Sequence, residues 1–329
     1  MATGKEIVLV TGGAGFIGSH VVEGLLARAC RVVVLDNFTT GRRENLSDWE
    51  KSNSLRVIEG DVTGDVAAAL SAVTKEWGKI TRAVHLAAQT SVTVSIEQPL
   101  VDLKINLEGT LRVLEFCRSQ SARKCVFASS AAVYGDAARL PAAETAPCRP
   151  LSPYGASKLA AESYLRLYSE VLGLAATSLR FFNVYGPRQD PRSPYSGVIT
   201  VFFGRALRGE GLTIFGDGKQ TRDFIYVKDV AHAILAALFS KKGAGESLNV
   251  ATGRETSVSE LARQIVKTCG SRSRIHHADA RPGEIRRSRA KVSKAKTLLG
   301  FSAKVKLEKG LAETRKWFGG ASPKAPNLT

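Results

Sequence analysis

The sequence contains no apolar run approaching the roughly 20 residues that cross a bilayer. Its opening, MATGKEIVLVTGG, passes straight into a short apolar segment, without a signal-peptide core and small-residue cleavage site. The five cysteines (Cys30, Cys117, Cys125, Cys148, Cys269) show no Cys-x-x-Cys spacing and no grouping with histidine. The expectation from these absences is a cytoplasmic chain with reduced thiols, no metal and no membrane partner. Asn45-Leu46-Ser47 fits a glycosylation pattern that has no meaning in such a chain. A net charge of +17 raises the question of nucleic acid, and basic residues thicken between Arg272 and Lys296. Yet there is no basic tail and no interleaving of basic with aromatic residues. A solvated basic surface that attracts a small anionic substrate is expected, and no nucleic-acid partner. Internal repeats and low-complexity segments are also missing.

What is present is a globular composition: 329 residues, 44% hydrophobic and 23% charged, enough for one large or two modest domains. Strand-like apolar runs alternate with helical stretches through the first half. Strands are expected at Ile7–Val10, Arg31–Leu35 (ending at Asp36), Leu55–Glu59, Arg82–Leu86, Lys124–Phe127 and Ala175–Phe181. Helices are expected from about Gly15 to Ala29, over Val66–Trp77, from Pro99 to Ser119, and from Pro153 to near Gly173 with Ser152 as N-cap. Near-continuous apolar strands alternating with helices predict an α/β fold with a doubly wound parallel sheet. After Phe182 the pattern loosens through Pro187, Pro191 and Pro194. Helices at Val198–Arg208, Val230–Phe239, Ser257–Cys269 and Leu307–Phe318 and a strand at Leu212–Phe215 then predict a smaller α/β lobe over the carboxyl edge of the sheet. Residues 1–182 plus about 224–245 are assigned to the domain of the main sheet, because 224–239 reads as a return to that sheet. Residues 183–223 and 246–318 form the second lobe, and 319–329 a disordered tail.

Two patterns carry chemistry. Gly12, Gly15 and Gly18 follow a strand and open a helix. Such glycines permit a tight turn, close backbone approach to a pyrophosphate and close helix–strand packing, and the helix N-terminus faces the phosphates. Asp36 closes the second strand 18 residues after Gly18, where a carboxylate holds ribose hydroxyls and repels a 2′-phosphate. Asn37 follows without an arginine, so NAD is favoured over NADP, with Arg42 and Arg43 close enough to leave NADP open. Asp61, at the end of the third strand, reads equally as a contact to the adenine amino group or as a helix N-cap.

The second pattern is Tyr154 and Lys158, four residues apart and therefore on one helix face. An ammonium beside a phenol favours the phenolate, a proton acceptor for work near neutral pH. Ser130 follows the fifth strand at the edge where doubly wound sheets bind ligands. Singly, a serine after a strand reads as a cap and a Tyr-x-x-x-Lys pair as helix surface. Together, after a dinucleotide turn, they point to chemistry on a substrate hydroxyl.

TGGAGFIG, HLAAQ (85–89), SSAAVYG (129–135), SPYGASK (152–158), RFFNVYGPRQ (180–189), FGDGKQTRDFIYVKDV (215–230) and ARPGEIRRS (280–288) stand in one order over nearly the whole chain. In these motifs the chain resembles the extended short-chain dehydrogenase/reductase superfamily, in its NAD-dependent nucleotide-sugar epimerase/dehydratase branch. The resemblance implies a Rossmann domain, a UDP-sugar substrate and a homodimer, with helices 99–119 and 153–172 forming a four-helix contact. It implies an NAD site of Gly12, Gly15, Phe16, Ile17, Gly18, Asp36, Asn37, Asp61, Val62, Leu86, Ala87, Ala88, Asn106, Tyr154, Lys158 and Phe181. It implies catalysis by Ser130, Tyr154 and Lys158. It implies substrate contacts from Ser91, Ser130, Asn183, Val198, Phe215, Gly216, Arg222, Arg281, Glu284 and Ser288, with the two arginines on the diphosphate or else in surface ion pairs.

Related 4,6-dehydratases carry an Asp-Glu pair just after the serine, where this chain has Ala131 and Ala132, and the glutamate of the similar decarboxylases is also absent. The resemblance therefore implies a 4-epimerase of the UDP-glucose type, working through a transient 4-keto sugar. The small Ser288 stands where a bulky residue would exclude N-acetyl groups, so the UDP-GlcNAc/UDP-GalNAc pair is expected to be accepted as well. A UDP-glucuronate 4-epimerase, a nucleotide-sugar reductase, and a non-enzymatic dinucleotide- or RNA-binding member remain as alternatives.

Overall fold

The computed structural model describes residues 6–137, 139–190, 197–280 and 285–319. Through the first part the chain forms β1 (Ile7–Thr11), α1 (Phe16–Leu26), β2 (Arg31–Asp36), β3 (Leu55–Glu59), α2 (Val66–Trp77), β4 (Arg82–His85), α3 (Val92–Glu97), α4 (Pro99–Leu103), α5 (Gly109–Ser119), β5 (Lys124–Ser130), α6 (Pro153–Glu170) and β6 (Ala176–Phe181). It continues through β7 (Asn183–Tyr185), α7 (Val198–Leu207), β8 (Leu212–Phe215), β9 (Thr221–Arg222), β10 (Phe224–Tyr226), α8 (Val227–Phe239), β11 (Ser247–Val250), β12 (Thr256–Ser257), α9 (Val258–Cys269), β13 (Ile275–Ala278), α10 (Ser293–Leu299) and α11 (Leu307–Gly319).

Seven parallel strands form the main sheet in the order β11-β6-β5-β4-β1-β2-β3. Side chains alternate across it. Val8, Val10, Val32 and Val34 face a layer built from α1 and α8, while Leu9, Val33 and Leu35 face α2, α5 and α6. Both faces are covered, which is why the strands read as continuous apolar runs. A third apolar cluster, including Phe203, Leu212, Leu261 and Leu311, holds the smaller lobe together.

Three sequence expectations change. Residues from 246 onward were assigned to the second lobe, but Ser247–Val250 pairs with β6 and closes the main sheet. The segment expected to return to that sheet, 224–239, does so only through α8. Its strand β10 pairs with β7 outside the sheet. The long helix expected over 99–119 is interrupted by a π-helical turn at Lys104–Glu108, and α3 precedes it unforeseen. The ends of the expected tail, 320–329, and Pro191 and Pro194 lie outside the described residues.

A buried ion pair locks the edge of the sheet that carries the site. Arg180 on β6 and Glu162 on α6 are each 5% exposed and meet through three hydrogen bonds of 2.6, 2.9 and 3.2 Å. Ser129 at the end of β5 and Ser247 at the start of β11 donate to the same carboxylate. Glu162→Ala strands a guanidinium in the interior. We expect a loss of about 3–5 kcal/mol, read as a lowered midpoint in guanidinium chloride unfolding.

Candidate active site

The glycine turn fits a dinucleotide. A Cβ on Gly12 would sit 2.7 Å from the backbone nitrogen of Ala87, and one on Gly18 would sit 2.1 Å from the Gly12 carbonyl. The turn is thus pressed against the end of β4, where Leu86, Ala87 and Ala88 follow. Gly15 is different: a Cβ there would meet only the Gly12 oxygen, at 3.2 Å. It is the N-cap of α1 and brings no capping side chain, so the helix N-terminus of Phe16, Ile17 and Gly18 is open to an anion.

At the next strand end Asp36 is buried. Its oxygens accept from the backbone nitrogens of Ala14 and Phe38, each at 2.9 Å, which holds the carboxylate against the turn. Asn37 donates to Asp61 at 2.7 Å. Asp61 is not the N-cap of the following helix, for that position is Asp65, which accepts from the nitrogen of Ala68. Burial raises the Asp61 pKa, but hydrogen bonds from Thr63 and Asn37 outweigh it and leave the carboxyl below its ordinary value. Val62 beside it is buried in the sheet's second core. Both nearby arginines are engaged: Arg42 with Asp190 across the groove, and Arg43 with Glu59 at 2.7 Å.

The three residues expected to handle the proton arrive from two elements. Ser130 ends β5 and Tyr154 and Lys158 lie in the first turns of α6, whose N-cap Ser152 accepts from the nitrogen of Gly155. Ser130 does act as a cap, accepting from the nitrogen of Ala132 at 3.1 Å, and its hydroxyl lies close enough to Tyr154 to pull the pKa of that phenol down. Lys158 is buried. It donates to the Ala128 carbonyl at 2.9 Å and lies 4.6 Å from the Phe127 ring centre and 5.9 Å from that of Tyr154.

The electrostatics differ from the expectation. Burial raises the Tyr154 hydroxyl pKa, Ser130 partly opposes this, and the charge of Asp102 adds to it. Burial also lowers Lys158 to about 8, with Asp102 opposing. The ammonium alone does not make Tyr154 a phenolate near neutral pH, because the dry surroundings that strengthen its charge also suppress ionisation of the phenol.

A cavity of about 210 Å³ opens beside Ser130. Ala131 and Ala132 line it, as do Phe181, Asn183, Arg222 and Ser288 from the expected set. Arg222 donates to the carbonyls of Thr221 and Ile285, anchoring the 285–289 strap at the wall. Phe215 and Gly216, at the end of β8, and Val198, at the start of α7, do not line it, nor does Ser91, whose hydroxyl caps α3. Asn106 is buried, with its amide on Gln89 and Asp102. Arg281 and Glu284 lie outside the described residues. Sequence reasoning missed Tyr134, Leu140, Phe182, Arg287 and Arg289 of the wall. Their signal is long-range: Tyr134 donates to Asn249, whose amide binds the carbonyls of Ala142 and Lys291 and so ties three distant segments together. Among the described residues no cluster could hold a metal, and no helix is long and apolar enough to cross a membrane.

Residues 9–314 match the family model described as GDP-mannose 4,6 dehydratase. The UDP-glucose 4-epimerase of Mycolicibacterium smegmatis is 40% identical over 311 residues, covering 94% of this chain and 97% of that protein. Among solved structures, the UDP-glucose 4-epimerase of Thermus thermophilus in complex with NAD superposes with a TM-score of 0.85 at 40% identity, covering 96% of this chain and 99% of that one. The UDP-N-acetylglucosamine 4-epimerase of Methanobrevibacter ruminantium in complex with UDP-N-acetylmuramic acid does so with a TM-score of 0.89 at 37% identity, covering 96% and 99%. With the glycine turn, the Tyr154/Lys158 helix and this coverage in agreement, the chain belongs to the GDP-mannose 4,6 dehydratase family, in the nucleotide-sugar epimerase/dehydratase branch of the extended short-chain dehydrogenase/reductases.

Proposed function

We propose that the protein is an NAD-dependent 4-epimerase of UDP-hexoses. The observation that carries this reading is the cavity itself: Ser130, which acts on Tyr154, lines it, and the wall next to Ser130 is alanine, not carboxylate. One proton-handling group suffices to oxidise and re-reduce a carbinol, whereas elimination of water needs a second acid. NAD is the cofactor, and when bound it would supply a reversible hydride acceptor for oxidation and re-reduction of the carbinol. Gly12, Gly15 and Gly18 receive its pyrophosphate, Asp36 its ribose hydroxyls, and Lys158 orients its nicotinamide end. Tyr154 takes the proton of the 4-hydroxyl and gives it back, with Ser130 holding the same oxygen. Asn183 and Arg222 line the cavity where the nucleotide diphosphate enters, and a guanidinium suits that anion. Purified protein is expected to release NAD on denaturation, and UDP-glucose to equilibrate with UDP-galactose on adding enzyme alone. Tyr154→Phe should lower turnover by about 10²–10⁴-fold while NAD stays bound. Unchanged turnover defeats the mechanism. NAD required stoichiometrically as a cosubstrate points to a reductase.

The sugar pocket is read as admitting N-acetyl groups because Ser288 is small and lines the cavity. The UDP-GlcNAc/UDP-GalNAc pair should then turn over, and Ser288→Tyr should depress that pair more than about tenfold relative to the UDP-glucose pair. Equal losses on both pairs count against a sugar wall at this position. Arg287 and Arg289 in the same wall favour a uronic acid as a second reading, which UDP-glucuronate in the same assay decides.

We infer a homodimer from a band of exposed apolar side chains on adjacent helices: Ile96 on α3, Leu100 and Leu103 on α4, and Leu167 on α6, with Leu100 79% exposed. Such a continuous face is unusual on a monomer. The band uses the first turns of the long helix expected over 99–119, and none of the exposed large apolar residues falls in α5. Leu100→Glu with Leu167→Glu should convert a dimer to a monomer in sedimentation velocity. A monomeric wild type refutes the inference.

A further inference from the structure

Asp102 is fully buried, and nothing in the mechanism above uses it. One of its oxygens accepts from the side-chain amides of Gln89 and Asn106, each at 2.8 Å, and the other accepts from the Ser157 hydroxyl at 2.7 Å. Three donors and no acceptor is the environment of a carboxylate. Among the described residues it makes no direct ion pair, although a buried charge without compensation is costly.

Its partners explain its place. Ser157 immediately precedes Lys158 on α6. Gln89 follows the segment that ends β4 and packs against the glycine turn, and Asn106 clamps that segment by accepting from the Gln89 nitrogen and donating to its carbonyl. The π-helical turn places Asn106 and Asp102 together on the inner side, while Leu100 and Leu103 face outward. The carboxylate therefore joins three elements behind the catalytic pair: α4, α6 and the end of β4.

We propose that Asp102 is a positioning residue for this chemistry, a buried counter-charge that fixes α6 through Ser157 and keeps Lys158 in its ammonium form while Tyr154 exchanges its proton. The inference rests on the epimerase reading. The charged and titratable groups that interact with Lys158 are Asp102 from α4, Tyr154 from its own helix and His85 from β4. His85 is buried between the Thr11 and Thr110 hydroxyls, and its pKa is lowered by burial to about 3, so it stays neutral and supplies no charge. Asp102 is then the anion that offsets the burial of Lys158, and its charge also holds the proton on Tyr154.

Removing a negative charge lowers the pKa of both neighbours. Tyr154 then loses its proton at lower pH, which moves the acid limb of the kcat profile down. Lys158 also loses its proton at lower pH, which moves the alkaline limb in the same direction. Asp102→Asn should therefore displace the whole bell toward acid by about one pH unit. Ser157→Ala, which removes the hydrogen bond and keeps the charge, should leave both limbs in place and alter only the height. The profiles are recorded as kcat on UDP-glucose with the NAD-loaded enzyme. Limbs that stay put in Asp102→Asn, or that move equally in Ser157→Ala, overturn the proposal. Should Asp102→Asn not fold with NAD, the smaller neutral Asp102→Ser is read in the same way. Failure of both assigns Asp102 to stability and also overturns the proposal. A wild type inert on every UDP-hexose defeats the epimerase reading, whereas an active wild type with limbs indifferent to Asp102 defeats only this inference.

Discussion

The site depends on the buried contact between Arg180 and Glu162. The three proposed catalytic residues come from two elements, Ser130 from a strand end and Tyr154 and Lys158 from a helix, and hydrogen-bond chemistry between them tolerates little slippage. Glu162 lies on the same helix as Lys158, one turn further along, and its carboxylate gathers Arg180 on β6, Ser129 on β5 and Ser247 on β11. Ser129 directly precedes Ser130. One ion pair thus fixes the angle of α6 against three adjacent strands at the edge that carries the cavity. Such a pair adds little net stability over an apolar core of the same shape, but it penalises every other alignment heavily.

The same physics runs through the proton-transfer groups. Excluding water from Tyr154 and Lys158 strengthens every charge interaction around them and opposes ionisation of both. The apoprotein therefore holds a tyrosine poised to stay neutral. A positive charge brought next to Tyr154 would lower its pKa, so its basicity would follow cofactor occupancy.

Much of this was legible in the sequence because it is local. The glycine turn, Asp36 and the Tyr154/Lys158 spacing each lie within one strand–turn–helix unit, and the first six strands follow from apolar runs bounded by turn residues. What escaped reading is what distant segments do to one another. Nothing near Ser247–Val250 says that it pairs with β6, because Ser-Leu-Asn-Val is too short and too mixed in polarity to read as a buried strand. The cavity wall escaped for the same reason, since Arg287 and Arg289 meet Tyr134 only through a strap pinned by Arg222, Asn249 and Asp223. Asp102 was hidden in a helix surface pattern. The sign of the Tyr154 shift was missed because spacing gives proximity of charge and says nothing of dryness.

The π-helical turn at Lys104–Glu108 behaves as a phase shifter in an otherwise continuous rod. An ordinary α-helix advances about 100° per residue, so one additional residue in a single turn rotates everything before it relative to everything after it. Because α5 is keyed to the sheet, excising one residue here would spin α4 by about that angle. Asp102 would swing toward solvent, the outward leucines would turn inward, and a single deletion would erase both the association face and the buried anion. The two features share one mechanical setting, and the chain cannot lose it by gradual drift.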